Sequence, residues 1–188
     1  MTPERTRQLS TAEERRETVL RTAIGTFAAR GYFGTTTTEV AKEAGISQAY
    51  VYRLFPNKES LFVAVVDRCF VQVRACLEQA AAEAPGSSAE VVLAAMGVGY
   101  AKLITDRDLV LIQLHAQAAA VSEVAVRDAV RQGYARVVEY VRGASGGDEH
   151  QVQNFFARGM LCHLIVSMGA DEVDAPWAKL LTLDISHF

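Results

Sequence analysis

Thr36-Thr37-Thr38-Glu39-Val40-Ala41-Lys42-Glu43-Ala44-Gly45-Ile46-Ser47-Gln48-Ala49-Tyr50-Val51-Tyr52-Arg53-Leu54 decides how this chain folds. Thr36 with Glu39 three residues on is a capping box, so a short helix starts there. Ala44-Gly45 ends it, because glycine takes the left-handed backbone of a helix terminus at little cost. Ile46-Ser47 turns the chain, and Ser47 caps a second short helix that runs to about Leu54. Ala41 is small where the two helices must approach, and Val40, Ile46 and Val51 can seal the pair inward. Two short helices across so tight a turn form a helix-turn-helix, whose second helix offers its exposed face to the major groove of DNA.

Working outward, a helix precedes this pair. Thr11 with Glu14 fits a capping box, and Val19, Leu20, Ala23, Ile24, Phe27 and Ala28 recur at helical spacing before Gly31 stops the pattern. Residues 1–10 carry Arg5 and Arg7 without apolar periodicity and read as a flexible, solvated arm. Beyond Pro56-Asn57 a long helix is predicted from about Lys58 to Ala84, stopped by Pro85-Gly86-Ser87-Ser88. Further helices are predicted near Ala89–Thr105, Arg107–Ala120, Ser122–Arg142, Asp148–Gly169 and Ala175–Leu183. No segment shows sustained alternation. The expected fold is all-α with about nine helices: an arm (1–10), a helix-turn-helix domain (11–57) and a helical ligand-binding and dimerisation domain (58–188).

Within the second short helix, Val51 points inward and Ser47, Gln48, Ala49, Tyr50, Tyr52 and Arg53 are left to face outward or sideways. Gln48 can bond bidentately to adenine, and Ala49 and Tyr50 can touch a thymine methyl. Ser47, Tyr52, Arg53 and Lys58 suit phosphate oxygens, which set register without reading sequence. Thr36, at the start of the bracing helix, joins this DNA-facing set. Phe33, Phe55 and Phe62 are expected in the core.

The stretch from Thr35 to Leu61, preceded by Phe27-Ala28-Ala29-Arg30-Gly31-Tyr32, resembles the signature of the tetracycline-repressor family. The resemblance covers about residues 11–65. It implies a repressor that dimerises through its last two long helices and releases DNA on binding a ligand. Three positions depart from the family's usual pattern. Thr37 stands where a branched apolar residue is common, Ala49 replaces a frequent glycine, and Leu54 stands where a histidine or tyrosine often reaches phosphate.

Composition agrees with a packed helical chain. Of 188 residues, 50% are hydrophobic and 22% charged, which excludes a disordered chain. The net charge of −3 is unevenly spread: residues 1–60 hold nine Lys/Arg against seven Asp/Glu, and residues 61–188 hold ten against fifteen. The positive charge thus lies with the DNA-facing end. No run approaches the ~20 apolar residues of a membrane span, and the N-terminus has no apolar signal core. Three cysteines, Cys69, Cys76 and Cys162, lack metal-ligand spacing and are expected as reduced, inert thiols in a cytoplasmic protein. His115 and His163 read as core histidines. No HExxH, P-loop, GxSxG or CxxC motif is found, and no metal site, cofactor or enzymatic activity is expected.

The helix predicted at 148–169 is apolar around most of its circumference, so it should be buried on both sides. One side would pack on its own domain and the other on a second subunit through Phe156, Gly159, Met160, His163 and Ser167. A pocket between the long helix and the helices of 89–142 would be lined by Phe62, Val66, Cys69, Met96, Tyr100, Leu111, His115 and Tyr134, with Gln113, His115 and Gln117 as polar groups. The expected function is a homodimeric regulator, a repressor released from a palindromic double-stranded operator by a small hydrophobic or aromatic effector. The alternative is a regulator that acts without a ligand, or as an activator.

Overall fold

A computed structural model describes the backbone of residues 3–183 and side chains from residue 13 onward. The described residues form nine α-helices: α1 (Pro3–Gly34), α2 (Thr37–Glu43), α3 (Gln48–Leu54), α4 (Lys58–Ala82), α5 (Ala89–Leu103), α6 (Arg107–Ala119), α7 (Val124–Ser145), α8 (Glu149–Met168) and α9 (Pro176–Leu181). From α2 onward the boundaries lie within three residues of those predicted. The difference is at the start. The chain is helical from Pro3, where proline suits a first turn, so the segment expected as an arm over 1–10 is taken into α1 apart from Met1 and Thr2, which lie outside the described residues.

Caps account for most helix starts. Thr36 and Glu39 bond reciprocally as a capping box, and Ser47, Asn57, Ser88, Asp106 and Asp148 each accept a backbone N–H of the helix that follows. α1 is kinked at Gly31, whose φ of 70° and ψ of 179° are open essentially to glycine alone. Gly45 takes φ 66° in the turn between α2 and α3.

One core runs through both halves. Val19, Ala23 and Phe27 of α1, Val40 and Val51 of the short pair, and Leu61, Phe62 and Val65 of α4 are all buried in it. Phe62 is packed between Phe27 and Tyr32, with ring centroids 4.8 and 5.1 Å away. α4 then passes between α5 and α7, while α6 lies along α1. Phe55 and Phe62 are in the core as expected, but Phe33 is not. It is 65% exposed beyond the Gly31 kink, its edge against Tyr32, because the kink rotates it off the buried stripe of α1. α8 buries Val152, Cys162, His163, Ile165 and Val166 within its own domain and exposes Met160, Leu164 and Met168 on its other side, and of the residues predicted for a subunit interface His163 falls on the buried side.

Candidate DNA-reading surface and ligand cavity

The helix-turn-helix is fastened from three directions. Arg16 of α1 donates to the carbonyl of Leu54 at 2.9 Å and lies over the Phe55 ring at 4.2 Å, closing the C-terminus of α3. Arg30 pairs with Glu39, and the hydrogen bonds of Thr36 hold the Glu39 carboxyl below its usual pKa, with Arg30 a smaller influence. Lys58 directs its ammonium onto the Tyr32 carbonyl at 2.9 Å and over the Tyr32 ring at 4.4 Å. Lys58, predicted as a phosphate ligand, therefore also ties the start of α4 to the end of α1.

The other predicted DNA-facing residues lie together on the outer side of α2 and α3. Thr36, Ser47, Gln48, Ala49, Tyr52 and Arg53 are exposed and Tyr50 is half-buried. The Tyr50 ring sits between the guanidinium groups of Arg15 and Arg53, 5.4 and 5.1 Å from its centroid, so two cations are held at the edge of the reading face.

Thr37, the departure from the family pattern, has a role that its neighbours explain. It is buried, and its hydroxyl accepts from Gln48 Nε2 at 3.2 Å and donates to the Tyr52 hydroxyl at 3.1 Å. The amide nitrogen of Gln48 can only donate, so the Thr37 oxygen accepts from it and the Thr37 proton is left for the Tyr52 oxygen. Tyr52 keeps its own proton, and an outward phosphate oxygen could accept it. Gln48 is correspondingly held with one N–H inward and its carbonyl oxygen and second N–H free. Reading Gln48 and Tyr52 as separate surface residues misses this coupling; an unexpected hydroxyl at position 37 was its only trace in the sequence.

Behind the reader, a cavity of about 620 Å³ opens between α4, α5, α7 and α8. That volume lies within the range of small-molecule sites. Phe70, Val73, Leu77 and Val137 form its buried wall, and Phe155, Phe156 and Tyr134 add aromatic surface. Of the eight residues predicted to line a pocket, the structure places only Tyr100 and Tyr134 here. Phe62 and Met96 are wholly buried in the core. Val66 and Cys69 wall a void of about 10 Å³, too small for a ligand. Leu111 packs on the core, and His115 turns toward α1. The reason is that α1 and α6 occupy the early part of α4, so open space begins further along, from Phe70. Among the residues predicted for a subunit interface, Phe156, Gly159, Met160 and His163 line this cavity, with His163 buried. Met160 and Ser167 are exposed.

A chain of polar groups crosses the cavity floor. Gln113 Nε2 donates to the Leu109 carbonyl at 3.2 Å, Tyr100 donates to Gln113 Oε1 at 3.2 Å, and the Tyr100 oxygen lies 2.5 Å from His163 Nε2. Burial pushes the Tyr100 hydroxyl well above its usual pKa and lowers that of His163 to about 4. At neutral pH both groups are therefore uncharged. On the far side of the cavity, Gln117 donates to the Tyr134 hydroxyl at 2.9 Å. The residues missed by sequence reasoning, Phe70, Phe155 and Phe156 among them, carry no signal beyond the apolar periodicity shared by every core position.

α6 touches both regions. Gln113 and His115 are two residues apart, about 200° around a helix, so one reaches the cavity and the other α1. His115 Nε2 donates to the Ala28 carbonyl at 3.1 Å, and its Nδ1 would lie 2.8 Å from a Cβ placed on Gly31.

Known proteins resemble the chain in both parts. The family described as "Bacterial regulatory proteins, tetR family" matches residues 19–65. The uncharacterized HTH-type transcriptional regulator YuxN of Bacillus subtilis (strain 168) is 34% identical over 65 residues, which are 32% of this chain and 22% of that protein. The chain thus matches well under two thirds of its curated relative's length. Two solved structures share the whole fold. The transcriptional regulator FadR from Bacillus subtilis, in complex with stearoyl-CoA, superposes with a TM-score of 0.67 at 21% identity, over 92% of this chain and 98% of that one. AibR, in complex with isovaleryl coenzyme A and operator DNA, gives 0.66 at 21% identity, over 81% and 86%. The capped helix-turn-helix supplies the sequence match, so residues 19–65 match the tetR family of bacterial regulatory proteins, and the helical body behind them shares the fold of these solved structures.

Proposed function

We propose that this protein is a homodimeric transcriptional repressor, acting in the cytoplasm, that leaves a palindromic operator when a small, largely apolar ligand enters the α4–α8 cavity. The observation that carries this reading is α6, which contributes Gln113 to the cavity floor and His115 to the kinked end of α1. A ligand that displaces α6 acts on the reader without any long chain of intermediates. Releasing DNA about 100-fold requires only ~2.7 kcal/mol of coupling, within the ordinary range for two linked sites. The face for a second copy is the exposed stripe of Met160, Leu164 and Met168 on α8, with Trp177 and Leu180 of α9 beside it. A two-fold dimer built there would present two α3 helices to successive major grooves.

FadR and AibR were solved with acyl-coenzyme A molecules. The ring-lined wall here favours a flat aromatic body over an acyl chain. The test begins with selection of bound duplexes from a random pool. A near-palindrome whose affinity falls steeply with salt supports a dimeric reader making several phosphate contacts. The recovered site then serves to screen ligands for release. Failure to enrich any sequence at low salt refutes DNA reading. Enrichment without release by any compound that binds the cavity leaves a DNA-binding regulator that is not ligand-controlled. Leu164→Glu tests the dimer: a monomer by light scattering is expected, and an unchanged dimer moves the interface elsewhere.

A further inference from the structure

The Tyr50 ring gathers two cations that no neighbouring carboxylate neutralises. Arg15 comes from α1 and Arg53 from α3, with their guanidinium carbons 5.4 and 5.1 Å from the ring centroid. Both arginines are exposed, and among the described residues neither pairs with a carboxylate, whereas Arg30, Arg68 and Arg74 each do. The positions one turn from Arg15 along α1 hold Thr11, Ala12, Thr18 and Val19, and those one turn from Arg53 within α3 hold Ala49 and Tyr50. No carboxylate therefore stands beside either arginine on its own side of its helix. Arg15 is placed by its neighbour: Arg16 donates to the Leu54 carbonyl at 2.9 Å and covers the Phe55 ring, which fixes this part of α1 against the end of α3. Two like charges on one ring repel each other, and the electron-rich ring face offsets only part of that. Phosphates brought against the two arginines remove the rest.

We infer that Arg15 and Arg53 hold the DNA backbone, each guanidinium taking one phosphate, with Tyr50 as the strut that positions them rather than as a reader of bases. This rests on α3 being the DNA-facing helix, and it brings α1 into the surface that meets the operator. A guanidinium matches phosphate oxygens through paired N–H donors and does not lose its charge. A ring already engaged by two guanidinium groups is not free to lie on a thymine methyl, the contact that its position on α3 suggests. Tyr50 is half-buried, as a strut requires, while Gln48 and Ala49 beside it are exposed. Phosphate contacts set register and carry no sequence information, so the two arginines contribute equally to operator and non-operator duplexes.

The experiment titrates the full-length protein against the selected operator and a non-operator duplex across a salt series. Arg15→Gln should lower the slope of log affinity against log salt by about 0.9 per subunit, the share of one phosphate. It should weaken both duplexes by the same factor and select the same consensus, and ethylation of one phosphate in each half-site should cease to interfere with binding. Arg53→Gln should do the same at a second phosphate. Tyr50→Leu should weaken both duplexes alike, and Tyr50→Phe, which keeps the ring, should recover the parent slope. Arg21 lies about 9 Å further along α1 and on another side of it, so Arg21→Gln measures the effect of a lost charge alone and should leave the ethylation pattern intact. An unchanged slope and ethylation pattern in Arg15→Gln overturn the inference, and that variant, at an exposed position, serves if Tyr50→Leu does not fold. A slope lowered equally by Arg21→Gln, with no phosphate lost from the pattern of Arg15→Gln, reduces the arginines to a diffuse charge and also overturns it. A changed base preference in Tyr50→Leu makes Tyr50 a reader and ends its role as strut. If the parent protein enriches no sequence at low salt, DNA reading itself has failed and the phosphate contacts fall with it.

Discussion

Replacing Thr37 by valine, the kind of residue common at this position in the family, should weaken operator binding while leaving the fold intact. Among the described residues the hydroxyl links Gln48 to Tyr52, accepting from one at 3.2 Å and donating to the other at 3.1 Å. Valine has nearly the same shape and buries a methyl group instead, and both former partners are exposed and can return to water. Stability should therefore change by less than about 1 kcal/mol, or roughly 2–4 °C in Tm for a chain of this size. Binding is another matter. Two side chains that were held in place must be immobilised on contact with DNA, at about 0.5–1.5 kcal/mol each. The sum, ~1–3 kcal/mol per half-site, corresponds to a loss of roughly 5- to 150-fold. Titrations of the selected operator by fluorescence anisotropy, with melting curves alongside, measure both quantities. Thr37→Ser keeps the hydroxyl and should bind almost as the parent does. A Thr37→Val protein that melts normally and binds with unchanged affinity would refute the argument that the relay organises the reader.

Three other perturbations follow from contacts already described. Gly31→Ala forces a side chain into a glycine-only conformation and against His115, so Tm should fall on the order of 5 °C. Adding His115→Ala should restore only the steric part, and full recovery would show that backbone strain at residue 31 is negligible. His163 has a pKa near 4 in the folded protein against 6.5 ordinarily, so the unfolded chain binds the extra proton between these values. Stability is then complete above about pH 6.5 and falls by up to roughly 3 kcal/mol as pH drops toward 4. His163→Phe should flatten that part of the denaturation profile relative to the parent, and identical slopes would exclude the histidine as the cause. Burial pushes the Cys69 thiol to about 12 and raises Cys76, half-buried, less. Alkylation at pH 8 followed by peptide mass spectrometry should find Cys76 modified first and Cys69 only on unfolding; equal rates would mean that α4 opens easily.

The helices were legible because their ends are written in local chemistry. Thr36 with Glu39, Ser47 and the Pro56-Asn57 break each act within a few residues of themselves, and no tertiary contact is needed to read them. The reading face was legible for a similar reason, since Val51 must point inward and its neighbours then cannot. The cavity was not. Whether Phe62 or Phe70 borders open space depends on how far α1 and α6 extend along α4, which no periodicity records. Phe33 failed in the same way, because its burial depended on a helix continuing straight through Gly31. Met160 and His163 are three residues apart on α8, one exposed and one buried, and apolar pattern alone assigned both to an interface.

The contact of His115 with the end of α1 also limits how the reader can move. The helix-turn-helix joins the body where α4 begins, and Lys58 secures that joint through Tyr32. His115 adds a second attachment through Ala28, on a different helix. Both attachments border the continuous core in which Phe27 and Tyr32 of α1 pack on Phe62 of α4. The reader is therefore seated on the body over a surface, like a keystone rather than a pendant. A displacement of α6 or α4 would carry it as one piece with α1.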